Sequence, residues 1–226
     1  MIRIFAMMNL FNQVKTLIYK DVLLEWRSKY AINSILLYVV STVFVCFQSF
    51  KSVDAVVWNT LYWIIMLFAA INAMSRSFLQ ETSNRHLYYY SLVNPKAIIL
   101  AKIIYNSGLM ILMFLIAFLV YSIIFNNPVV NMPVYLISVL LGSISFATVF
   151  TMVAGISAKA GHNSTIMAIL SFPVIIPLLI VLIHLSQSSM LGEDLDTNLR
   201  HIFLLLSINV VTISISLLLF PYLWRD

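Results

Sequence analysis

The sequence predicts an all-α integral membrane protein: six transmembrane helices, an N-terminal amphipathic helix lying in the interface, and a short cytoplasmic helix between spans two and three. Three observations predict this class. Only 9% of the 226 residues are charged and 62% are hydrophobic, whereas soluble domains carry about 25% charged residues. Six apolar runs are each long enough, at ~1.5 Å per helical residue, to cross a ~30 Å hydrocarbon core. Finally, the basic residues are shared unevenly among the connections that join those runs.

The runs lie at residues 31–50, 56–75, 103–125, 134–157, 165–185 and 202–224, and the chain 1–226 reads as a single transmembrane domain. Buried helices of a soluble protein would need a polar shell that so little charge cannot supply. A membrane β-barrel would show segments of about ten residues alternating apolar and polar, and none is present.

Residues 1–30 come first. In "NLFNQVKTLIYKDVLLEWRSKY", Leu10, Val14, Leu17, Ile18, Val22 and Trp26 recur at three- and four-residue spacing and share one helical arc. Lys15, Lys20 and Arg27 fall at its edges or behind it, as in a helix lying in the cytoplasmic interface. Asp21 and Glu25 break the pattern: at about 100° per residue both fall inside the apolar arc. Either they form a solvated local ladder with Lys29, or they meet basic groups of residues 75–96 or of a partner protein. The same charges interrupt any apolar h-region, so the segment is not a secretory signal.

Between spans two and three stands "SRSFLQETSNRHLYYYSLVNPK", residues 75–96. Thr82, Ser83 and Asn84 are candidate N-caps and Pro95 is a stop, which together define a short polar helix. Tyr88, Tyr89 and Tyr90 suit a surface with one apolar and one wet side, either an aromatic belt or a docking face for a cytosolic partner. Span five holds Pro173 and Pro177, each of which removes a backbone hydrogen bond, and a kink near its middle is expected. Trp58 and Trp63 suit an interfacial aromatic belt.

Every Lys and Arg except Lys51 and Arg200 falls on one side of this topology, which puts both termini and residues 75–96 in the cytoplasm. The net charge of +5 is therefore a topology signal and implies no nucleic-acid partner. Cys46, the sole cysteine, excludes an intrachain disulfide and a CxxC redox pair. The chain contains no GxxxxGK[ST], HExxH or GxSxG motif and no paired catalytic carboxylates. Its short connections leave no room for a nucleotide-binding domain, so any ATP-driven step needs a partner. The spans also lack the midplane charges of ion-coupled carriers and the opposed helix breaks of inverted-repeat carriers.

With this layout, "KDVLLEWRS" at 20–28, "QETSNRHLYYYSLVNPKAIILAK" at 80–102 and "SFPVIIPLL" at 171–179 resemble the haem exporter protein B (CcmB) family. These are ABC-2-type permease subunits of cytochrome c maturation. The resemblance implies a transport subunit of the bacterial inner membrane that is not itself an enzyme and is driven by a separate cytosolic ATPase. It implies a homodimer, surrounded by membrane lipids, beside a haem-handling membrane subunit. The polar helix becomes a coupling helix, residues 81–94, with Glu81, Arg85 and His86 as its exposed contacts and Asp21, Glu25 and Arg27 in the supporting N-terminal helix.

No cofactor is implied as bound directly and no metal site is assigned. ATP acts through the partner, and haem is the cargo, or a haem-loaded chaperone is released. His184 and His201, flanking the connection between spans five and six, are candidate haem ligands, against a plainer interfacial role. The alternative function is a generic ABC-2-type exporter of another lipid-like or amphipathic substrate.

Overall fold

Seven helices account for nearly all of the residues described by the computed structural model, which are 9–28, 30–50, 53–79, 93–159 and 164–223. They are α1 (Leu10–Ser28), α2 (Tyr30–Ser49), α3 (Ala55–Leu79), α4 (Pro95–Phe125), α5 (Met132–Lys159), α6 (Ser164–Met190) and α7 (Leu195–Leu223). No strand occurs among the described residues. Helices α3 to α7 are each long and apolar enough to cross a membrane. Helix α2 is 20 residues long, but its described apolar stretch, Ile35–Ser49, is shorter than the other five. The expected helix within residues 81–94 falls almost wholly outside the described residues.

Helix α5 is the hub. It packs on α3, α4, α6 and α7, and 72% of its apolar window is buried, against 22% for α7. Close approach is built into its sequence: a Cβ on Gly142 would stand 2.6 Å from the Trp63 indole and 3.2 Å from Leu182. Only glycine lets α3 and α6 reach the α5 backbone at this level.

The aromatic residues lie inside this contact, which corrects one expectation. Trp58, Tyr62 and Trp63 are each 0% exposed, not in an interfacial belt. Trp58 meets Tyr121 at 4.7 Å between ring centroids, and Phe118 stacks on Tyr135 at 5.1 Å. Apart from Trp58 Nε1, which is buried without a hydrogen-bond partner, their polar tips find partners within the bundle. Tyr62 donates to the Phe114 carbonyl at 3.2 Å, Tyr121 to the Trp58 carbonyl at 3.0 Å, and Trp63 Nε1 to Ser186 Oγ at 2.8 Å. Residue type alone does not separate an interfacial Trp from a core one, because both places accept a large apolar ring with a polar edge.

A polar seam runs beside the aromatics. Asn209 of α7 donates to Ser145 Oγ at 2.8 Å and accepts from Thr148 Oγ1 at 2.9 Å, and Asn106 of α4 donates to Thr151 Oγ1 at 2.8 Å. Between helices that are apolar on all sides, such bonds fix rotation and register.

Two boundaries differ from the hydropathy reading. Helix α4 begins at Pro95, well before the apolar run at 103, because Asn94 caps it, accepting from Lys96 N at 3.0 Å, and proline suits the first helical position. The connection expected at residues 186–201, between spans five and six, shrinks to a tight turn. Helix α6 continues to Met190 and closes with Gly192 at φ +77°. There Glu193 N donates to the Ser188 carbonyl at 3.1 Å and Gly192 N to the Ser189 carbonyl at 3.4 Å, a Schellman stop. A hydropathy window misses such ends because helices continue into polar sequence.

A candidate coupling joint at the polar end of the bundle

Helix α1 supports the start of α4. Val14 and Leu17 are buried against Val93, Ala97, Ile98 and Ala101, with Phe220 of α7 closing the cluster. Two polar contacts set the register. Asn94 N donates to Gln13 Oε1 at 3.3 Å, and Lys102 Nζ lies 3.2 Å from Asp21 Oδ2. From Gln13 to Asp21 and from Asn94 to Lys102 is the same step, so α1 runs parallel to α4 along its first two turns.

The apolar arc of α1 therefore serves two environments. Val14 and Leu17 face the protein, whereas Val22 is 47% and Trp26 75% exposed. Asp21 falls in the arc because it faces inward: its side chain and that of Lys102 are each 7% exposed. Lys20, 29% exposed, takes the second carboxylate oxygen at 3.2 Å. Taking one partner from such a pair costs about 3–5 kcal/mol, while the pair itself adds little net stability. It acts instead as a specific register pin between α1 and α4.

Of the candidate contact residues, Asp21 is committed to this pin, Glu25 is half-buried beside α4, and Arg27 is exposed in the last turn of α1. Glu81, Arg85 and His86 lie outside the described residues. Lys102, Gln13 and Asn94 are the members of the joint that the sequence reading did not single out. The available signal was Asp21 itself, since a carboxylate inside an apolar arc needs a cation on the element it faces.

Pro173 and Pro177 sit inside α6, which continues through both, and both are exposed. His184 of α6 and His201 of α7 come together, ring centroids 6.3 Å apart and planes 19° from parallel. Among the described residues no group of three or more His, Cys, Asp or Glu could hold a metal ion.

An α-helical bundle of five apolar spans, four of them packed on the central α5 and one joined to an amphipathic helix by a buried charge pair, defines a multi-pass membrane protein. The family model described as CcmB protein matches residues 12–222, and the chain belongs to that family. It is accordingly an ABC-transporter permease subunit of cytochrome c biogenesis and haem transport. No curated protein and no solved structure matches the chain.

Proposed function

We propose that this chain is the membrane half of a haem-export machine whose motor is a separate cytosolic ATPase docking on residues 81–94. The observation that carries the reading is the family match over residues 12–222 in a chain without a nucleotide-binding motif. The joint supplies the mechanism. Residues 81–94 lead directly into α4, whose cap Asn94 is held by Gln13 and whose Lys102 is pinned to Asp21. A push on this segment therefore loads α4 and α1 together, and rigid helices carry the displacement along the bundle.

In this reading α2 is the sixth span. Ile35, Val39 and Val43 are buried in the main core, and Phe47 meets Phe125 at 5.7 Å near the far end of α4. Six spans place both termini in the cytoplasm, as the basic residues require. Two copies in the bacterial inner membrane enclose the route, beside a haem-handling subunit. Haem, or a haem-loaded chaperone, is what the complex releases, and the chain itself holds no cofactor.

The test is to replace Glu81 and Arg85 together with alanine in the full-length protein. The expected result is loss of ATPase co-purification, or of its coupling, and loss of holo-cytochromes c, with the bundle still folded. Unchanged complex formation together with unchanged cytochrome c maturation sinks the reading.

A further inference from the structure

Helix α1 is seated on the side of α4 that meets lipid further along. At about 100° per residue, the α4 positions packed with α1, which are Asn94, Ala97, Ile98 and Ala101, share one side with Leu112, Leu119 and Ile123. Those three are 48%, 60% and 79% exposed. The outward side of α1, turned away from Val14, Leu17 and Asp21, therefore continues the lipid-facing surface of the bundle toward its polar end.

That outward line runs through Asn12, Lys15, Thr16, Tyr19, Leu23 and Trp26, with Phe11 and Arg27 to either side, and it is graded. Polar residues come first, tyrosine stands in the middle, and apolar residues come last. Lys15 is exposed, and so are Tyr19 at 67%, Leu23 at 54% and Trp26 at 75%. A helix lying flat would hold one depth, and one character, along such a line. With the parallel register that Gln13–Asn94 and Asp21–Lys102 impose, the grading describes a helix that descends into the leaflet beside α4. From Lys15 to Trp26 is about 16 Å, against a headgroup layer about 5–7 Å deep. Leu23 and Trp26 thus reach the acyl region, while Lys15 stands at the outer edge of the headgroups.

From this geometry we infer that the outward line of α1 is a docking site for an anionic phospholipid such as phosphatidylglycerol. Its acyl chains lie against Leu23 and Trp26, and its phosphate sits between the Tyr19 hydroxyl and the Lys15 ammonium. Tyrosine suits a place with one apolar and one wet side, and the four-carbon stem of lysine lets its ammonium turn down to the phosphate. Lys15 and Tyr19 are one helical turn apart, so both donors can meet one phosphate, in bonds strengthened by its charge. The surrounding charge agrees. Among the described residues the acids at this end are Asp21, buried against Lys102, and Glu25, half-buried beside α4, whereas Lys15, Arg27 and Lys96 are exposed. Continuity with the lipid-facing side of α4 favours a lipid over a protein as the occupant.

The experiment uses the full-length protein in bilayers containing lipids brominated in the acyl chain, with either a glycerol or a choline headgroup. Quenching of tryptophan fluorescence is read after subtracting the Trp26→Phe protein, so that the signal is that of Trp26. The anionic glycerol lipid is expected to reach half-quenching at about fivefold lower mole fraction than the choline lipid, the size of one lysine at an anionic headgroup. Lys15→Gln, at an exposed position, is expected to erase this difference. Lys96→Gln removes an equal charge from the side of α4 away from α1 and should leave it intact. Several results overturn the inference: no quenching of Trp26 by either lipid, equal quenching by both, a preference that survives Lys15→Gln, or one lost equally in Lys96→Gln. Neither the ATPase nor haem enters these readouts, so the result stands apart from the proposed function.

Discussion

Lys102 Nζ lies 3.2 Å from Asp21 Oδ2, with both side chains 7% exposed. Asp21→Ala removes the carboxylate facing a buried ammonium and is expected to destabilise the α1–α4 contact by about 3–5 kcal/mol. Lys102→Met should cost less, because Lys20 still reaches Asp21 Oδ1 at 3.2 Å. The double replacement Asp21→Leu with Lys102→Met should recover most of the loss, since buried ion pairs are replaceable by packed apolar side chains. Unfolding midpoints in detergent for the two single variants and the double variant check this; additive losses would refute a shared pin.

Two glycines make opposite predictions. At Gly142 an added Cβ would lie 2.6 Å from two atoms of the Trp63 ring, itself fully buried. Gly142→Ala should therefore cost about 1–3 kcal/mol through overpacking. At Gly108 a Cβ meets nothing within 4 Å, and alanine lowers the backbone entropy of the unfolded chain. Gly108→Ala should be neutral or stabilising by up to about 1 kcal/mol. Thermal unfolding of the two variants side by side separates the cases.

How far the sequence could be read depended on whether two environments differ in polarity. The helical class and the five long spans were legible because lipid and water differ strongly. The sorting of α1 was not: Val14 and Leu17 turn to protein while Val22 and Trp26 turn outward, and both surroundings accept the same side chains. Trp58 and Trp63 were misplaced for the same reason. Asp21 was the most informative residue, since a carboxylate in an apolar arc demands a partner. Naming Lys102 as that partner needed the parallel register of α1 and α4, which no local pattern encodes. The start of α4 was legible in principle, since Asn94–Pro95 is a capping sequence, but a hydropathy window begins only where charge ends.

The polar seam should show coupling without large single effects. Thr148 Oγ1 donates to Asn209 Oδ1 at 2.9 Å, and Asn209 Nδ2 also reaches Ser145 Oγ at 2.8 Å. Hydrogen bonds between membrane helices average ~0.6 kcal/mol and reach ~1.7. Thr148→Val and Asn209→Ala are thus expected to interact by about 0.6–1.7 kcal/mol in a double-mutant cycle. A coupling energy indistinguishable from zero would mean that the seam does not hold α5 to α7.

The proline pair predicts a trade of stability against activity. Pro173 and Pro177 are exposed on α6, so truncating either to alanine removes no core packing. Neither ring nitrogen can donate, which leaves the carbonyls of Ile169 and Pro173 without the helical donor four residues on. Alanine supplies that N–H, and since proline costs ~3 kcal/mol relative to alanine inside a helix, Pro177→Ala should raise stability by about 1–2 kcal/mol, the rest having been absorbed by local adjustment. If the irregularity serves the transport cycle, the stabilised protein should mature cytochromes c more slowly while still binding the ATPase proposed above, as expected when a strained element is relieved. Unfolding midpoints, ATPase co-purification and holo-cytochrome c yield on the same variant decide it. Higher stability with undiminished maturation would make the two prolines a tolerated packing feature of α6, and lower stability would show that their rings fill space that alanine leaves empty.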